Sequence, residues 1–157
     1  MKMRLGFVSN SSSSSFIVSF HTNPKSVEDV QKQMFGHTDE NNIWEDNFST
    51  RTIAMAVFDS IQKAGRPANK KEISEAISCG WFEGMPDFPE GDYTTKKWQK
   101  YEKECDKVVE KIATKFIKEN NGRTIYTFHY SDEDVLGCVM EHSDIFYNLP
   151  HKQISCH

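Results

Sequence analysis

Phe16, Val18 and Phe20 fall on one side of an extended run over 15–20, and that period of two predicts a half-buried strand. The period then changes. After an Asn23-Pro24 turn, Val27, Val30 and Met34 share the face of a short helix. Ser26 stands at its N-cap with Asp29 three positions on, and Gly36 can close it. Residues 37–48 are polar and irregular, relieved by Ile43, Trp44 and Phe48. Ser49 caps a second helix whose stripe is Ile53, Val57, Ile61 and Ala64, and Gly65-Arg-Pro67 ends it. Asn69, backed by Glu72, caps a third with Ile73, Ala76 and Ile77 inward and Gly80 as its stop.

A loop punctuated by proline and glycine, "WFEGMPDFPEGDY", carries four aromatic residues over 81–93. Thr94 or Thr95 then opens the longest helix, which runs to about Glu119 before Asn121-Gly122. At 1.5 Å per residue it spans roughly 37 Å. The last third returns to extended patterns. "TIYTFHY" (124–130), "VLGCVM" (135–140) and "HKQISCH" (151–157) predict three strands, with Ser131-Asp-Glu-Asp134 as a hairpin turn between the first two. The expected fold is therefore α+β: a single domain with a mainly antiparallel sheet, formed by the N-terminal strand and three C-terminal strands. About four helices are expected on one face.

Composition narrows the class without naming an activity. The 157 residues are 37% hydrophobic and 27% charged, enough for one genuine core and too apolar for wholesale disorder. The net charge of -4 makes the whole molecule a poor counter-ion for nucleic acid or anionic lipid, so any basic function must be local. Behind Met-Lys-Met-Arg, the apolar segment Leu5–Val8 is too short for a signal core, and no stretch could span a bilayer. A cytoplasmic protein is expected. Cys79, Cys105, Cys138 and Cys156 lie far apart with no CxxC pair, and free thiols are expected.

Five consecutive serines, Ser11–Ser15, sit between two apolar runs. They predict a polar connector within a serine-rich segment over 1–15, with Val8 and Phe16 as near-partners in a wide hairpin or Leu5–Val8 as a short edge segment. Serine catalysis would require a base in hydrogen-bond reach and a preformed oxyanion site. The G-x-S-x-G elbow is absent, and five equivalent hydroxyls single out no nucleophile. Met3-Arg-Leu-Gly-Phe-Val-Ser-Asn-Ser-Ser-Ser-Ser-Ser-Phe16 resembles an amino-terminal signature of small proteins of tailed bacteriophages, the T-even type among them, and of some bacteria. "EHSDIFYNLPHKQISCH", from Glu141 to His157, resembles the carboxy-terminal signature of one such group, which often ends in a second histidine where Cys156 stands. The resemblance covers about a fifth of the chain. It implies an infected bacterial cytoplasm as the setting and no particular reaction.

Glu141, His142, Asp144, His151, Cys156 and His157 crowd the last seventeen residues. Extended, His151 and His157 stand about 20 Å apart and cannot share one ion, whose donors must lie within about 4 Å of one another. His142 and His151 closing a loop, with Glu141 or Asp144 and one strand residue such as His129, are the residual metal candidates. Their spacing matches no established zinc pattern, so neither a metal nor any other cofactor is expected.

The sharpest chemical pattern is on the long helix. Lys96, Lys100, Lys103, Lys107, Lys111, Lys115 and Lys118 recur at helical spacing, roughly opposite a Trp98, Cys105, Ile112 and Phe116 stripe. Residues 94–118 hold eight lysines against four acidic residues, which leaves the remainder of the chain at -8. Lys107, Lys111 and Lys115 repeat like charge at i,i+4, which costs a few tenths of a kcal/mol per pair. This face is expected to dock a host protein with an acidic surface, without catalysis. Two alternatives are a small hydrolase or transferase joining the serine run to the C-terminal His, Glu and Asp residues, and phosphate binding by the lysines. The first of these needs residues 9–15 beside 141–151.

Overall fold

Ser13–Phe20 (β1) runs down the middle of a three-stranded antiparallel sheet, between Thr124–Ser131 (β2) and His151–Ser155 (β3). The structure is a computed structural model that describes residues 12–45, 47–91 and 94–156. The expected pairing of Leu5–Val8 lies outside the described residues, as does His157. In the register, Phe16 lies opposite Phe128 and Gln153, and Ile17 opposite Thr127 and Lys152. Around the sheet pack α1 (Val27–Phe35), α2 (Thr50–Ala64), α3 (Lys70–Ser78), α4 (Thr95–Glu119) and α5 (Val135–His142).

The helices cover both faces of the sheet, which corrects the one-face expectation. Phe16, Val18 and Phe20 join Tyr126 and Phe128 in one core with Met34 of α1, Val57 of α2 and Met140 of α5. Ile17 joins Ile125 and Ile154 in a second core with Ile77 of α3 and Ala113 and Phe116 of α4. The reason lies in β1 itself, where Phe16, Ile17, Val18 and Phe20 are each at most 2% exposed. A strand apolar on both sides needs cover on both sides. The serine run is likewise no connector, because Ser13–Ser15 belong to this central strand.

Local chemistry places the helices. Ser26, Ser49 and Thr94 each accept the backbone N–H three residues on, and Asn69 with Glu72 forms a reciprocal capping box. Glu72 also takes both Arg66 amino groups, at 2.8 and 3.0 Å, and the guanidinium holds its carboxyl below the usual range. Lys70 of α3 pairs with Glu110 of α4.

The predicted strand over 135–140 is a helix instead. The Asp134 side chain accepts the Gly137 N–H at 2.6 Å, so the expected hairpin turn is an N-cap. Leu136, Val139 and Met140 then fall on the core side at i, i+3 and i+4. Gly137 permits the approach, since a Cβ there would sit 2.0 Å from the Ser131 carbonyl oxygen. Among the described residues the sheet therefore has three strands where four were expected. No helix among these residues is long and apolar enough to cross a membrane.

Cys79 and Cys156 form a disulfide, which corrects the expectation of four free thiols; Cys105 and Cys138 are free. Spacing along the chain could not show that the end of α3 meets the end of β3. There the two Cα atoms are 5.4 Å apart. Gly80 completes the junction, because a Cβ at that position would lie 1.7 Å from the Ser155 carbonyl oxygen. The bond closes a separation of 77 residues, for which chain-entropy arguments give about 4.5 kcal/mol and measured cases about 2–5 kcal/mol. Urea unfolding of the Cys79→Ser/Cys156→Ser variant should show a loss in that range, and reduction of the unmodified protein the same loss.

Candidate functional site

Two groups of polar residues stand out, one at the amino end of β1 and one along α4. At the first, the Ser12 hydroxyl lies 3.1 Å from Asp132 Oδ2, 2.9 Å from Glu141 Oε2 and 3.1 Å from His142 Nε2. Ser14 donates to Glu141 Oε1 at 3.1 Å, and Gln153 Nε2 reaches both Ser14 Oγ, at 3.2 Å, and the Glu141 carbonyl, at 2.9 Å. Glu141 is only 1% exposed. A buried carboxylate is tolerated where hydroxyls solvate it, and two serines of the run do so here. Ser15, on the opposite face of the strand, lies 3.2 Å from His129 Nδ1 and 3.2 Å from Cys79 Sγ.

The structure thus brings together the segments that an enzymatic reading required. Ser12 and Ser14 meet Glu141 and His142, with Asp132 as a member that sequence reasoning missed. Asp132 sits at the end of β2, and its nearness to Ser12 follows only from the β1–β2 register. Asp132, Glu141 and His142 offer ligand atoms within 4.8 Å of one another, and Asp132 Oδ1 is buried with no hydrogen-bond partner. His151 does not join them. Its Nε2 faces Asp144 Oδ1 at 3.3 Å and its Nδ1 lies 2.9 Å from the Leu149 carbonyl.

Charge decides what this cluster can do. Ser12 has one proton, and two of the three groups its hydroxyl faces, Asp132 and Glu141, are carboxylates. Carboxylates so placed oppose the developing charge of an alkoxide or a tetrahedral oxyanion, which needs donors around it. His142 also addresses Ser12 and Glu141 through the same nitrogen, the latter at 3.5 Å, so the acid does not hold the far side of the ring as in a relay. As a structural element the cluster ties α5 to β1.

Along α4, all seven lysines of the predicted row are exposed. Lys100 pairs with Glu104 at 3.9 Å and Lys115 with Glu119 at 3.8 Å, both i,i+4 contacts worth little in water. Lys96, Lys103, Lys107, Lys111 and Lys118 have no carboxylate within ion-pair distance among the described residues. The opposite side packs through Val109, Ala113 and Phe116, with Val108 and Ile112 half-buried.

The predicted inward stripe holds from Cys105 onward. Trp98 is 40% exposed and meets Phe88 and Tyr101 instead, at ring distances of 5.6 and 5.7 Å. Its indole N–H donates to Glu102 at 2.7 Å. The first turns of α4 contribute no residue to either core, so the aromatics there pack on one another. Between the lysine row and β3, a cavity of about 550 Å³ is lined by Trp81, Phe82, Ile112, Lys111, Lys115 and Lys152, among others. Trp81 is 72% exposed, and the sequence marks it only as one of four aromatic residues in a loop punctuated by proline and glycine. A cavity of this size is in the range of small ligand sites.

Compared with family models, curated proteins and solved structures, the chain matches none of them. Glu141→Ala should lower stability by about 2–4 kcal/mol in urea unfolding, since it leaves the Ser12 and Ser14 hydroxyls without their acceptor and opens a cavity. Asp144→Ala, on an exposed residue, should change it by less than about 0.5 kcal/mol.

Proposed function

We propose that this protein is a non-enzymatic accessory factor that binds an acidic surface of a partner protein through the lysine side of α4. The exposure of all seven lysines on a helix whose other side is anchored is the observation that carries this reading. The row concentrates positive charge on a molecule whose net charge is -4. Such a field speeds encounter with a complementary surface and rejects like-charged ones. The resemblance of the chain ends to phage signatures supplies the setting: a host protein in the cytoplasm of an infected bacterium. There the Cys79–Cys156 pair would face reducing thiols, and its reduction would cost the protein the stability the bond supplies.

Lys107→Glu/Lys111→Glu/Lys115→Glu should reduce recovery of the partner from host extract at least about tenfold, with the thermal midpoint shifted by no more than a few degrees. Unchanged recovery refutes the reading. Filter binding of duplex DNA at 50 and 200 mM salt separates the nucleic-acid alternative. Phosphate contacts would give tight binding that collapses between those two salts, by about a thousandfold for six contacts.

The contact between Ser12 and His142 favours a second reading, a small hydrolase or transferase with Ser12 as nucleophile. Covalent labelling of Ser12 by a fluorophosphonate would support it. Labelling equal to that of Ser12→Ala would remove it, which is the result we expect from the two carboxylates around the hydroxyl.

A further inference from the structure

We propose that the outer edge of β3 accepts an added strand: an extended acidic segment of the partner, with carboxylates against Lys111 and Lys152 and one apolar side chain in the cavity between them. The inference rests on the reading of the lysine face as a contact surface and specifies what that surface holds.

Backbone parity identifies the open edge. The Ser19 N–H donates to the Pro150 carbonyl at 2.9 Å, and the Cys156 N–H donates to the Ser13 carbonyl at 2.8 Å. Even-numbered residues over 150–156 therefore turn their backbone groups toward β1. In an antiparallel pair the odd-numbered ones then turn away. The Trp81 N–H donates to the Ser155 carbonyl at 3.1 Å from that outer side, which agrees. Among the described residues this is the one backbone bond along the outer edge. The N–H and C=O groups of His151 and Gln153 have no backbone partner there among the described residues. Unpaired groups in a row on an edge strand are a template for another chain.

The edge leads into the cavity. Lys152, Gln153 and Ile154 line it, although the Gln153 side chain itself is engaged on the opposite face with Ser14 and Glu141. Phe82, Val108, Ile112 and Ile154 supply an apolar floor. The rim carries Lys111, Lys115 and Lys152 against Glu83 and Glu119. Lys115 and Glu119 pair with each other, while Lys111 and Lys152 have no carboxylate within ion-pair distance among the described residues. Lys107 and Lys103 continue the charge along α4.

These features select the occupant. Alternate residues of an added strand fall on the α4 side of the sheet, about 6.6 Å apart. A segment of the form acid-x-apolar-x-acid would place its apolar residue over the floor and its carboxylates near the lysines. Main-chain bonds to His151 and Gln153 would supply affinity, and the floor and rim specificity.

The test uses the full chain and a fluorescein-labelled peptide containing Glu-Thr-Ile-Thr-Glu. We expect binding by anisotropy, a shift in Trp81 emission, and slowed amide exchange at His151 and Gln153 by at least about tenfold on saturation. Lys111→Glu/Lys152→Glu should weaken binding at least about tenfold. Gln153→Pro should do the same, because it removes the outward N–H and leaves the even-numbered bonds to β1 in place. Proline also deletes the Gln153 side-chain bonds, so the lysine variant decides if Gln153→Pro melts early. No binding at about 1 mM peptide overturns the proposal. So does binding with the His151 and Gln153 amides unprotected, or binding indifferent to Lys111→Glu/Lys152→Glu. In each of those cases, partner recovery that still falls in the Lys107/Lys111/Lys115 variant leaves the broader reading standing. Recovery unaffected by that variant removes both.

Discussion

Burial of β1 on both of its faces is the constraint from which the rest of the molecule follows. Phe16, Ile17, Val18 and Phe20 are almost wholly removed from water, which by side-chain transfer values contributes about 6–12 kcal/mol. That is comparable to the whole net stability of a small domain. A strand buried in this way must have every backbone N–H and C=O paired, so it needs a neighbour on each side. β2 and β3 fill those places and become the two edges. Helices then divide between the faces: α1, α2 and α5 over Phe16, Val18 and Phe20, and α3 with α4 over Ile17.

The same burial sets a condition on the serines. Ser14 and Ser15 are 1% and 5% exposed, so their hydroxyls need partners inside the protein. Ser14 reaches Glu141, and Ser15 reaches toward His129 and the disulfide. Glu141 can be buried only because the Ser14 and Ser12 hydroxyls solvate it. The serine run and the carboxylate are therefore one feature, with each side removing the other's desolvation cost. This polar seam holds α5 against the amino end of the sheet, where the disulfide fastens α3 on the other face.

The exposed chemistry is a by-product of that packing. Because α4 lies over the sheet through Val109, Ala113 and Phe116, its lysines point outward. Because Gly80 brings the chain against Ser155 at one end of β3, the middle of that edge has no backbone partner among the described residues and lies beside Lys111. A basic rim, an apolar floor and an unpaired strand edge then occupy one place. No single one of these would define a partner, but together they restrict it to an acidic, extended segment.

The helices α1 to α4 and their caps were legible in the chain, since each depends on residues three or four apart: Ser26 with Asp29, Asn69 with Glu72, and the lysine row itself. The region after β2 misled because Val135, Leu136 and Val139 suit a strand as well as a helix, and only Asp134 at the cap and the proximity of Gly137 to Ser131 decide between them. Contacts across long separations were not legible at all. The second face of β1, the seating of Ser12 between Asp132 and Glu141, the Cys79–Cys156 bond and the open edge of β3 all join residues about 55 or more positions apart or depend on which strand lies outermost. The sequence by itself determined where α1 to α4 lie, where most of the extended chain lies and where its positive charge gathers, because local periods and caps act within one turn. Which groups face one another was decided only when β1 was buried from both sides, since that pairing is a property of the packed core and no local spacing records it.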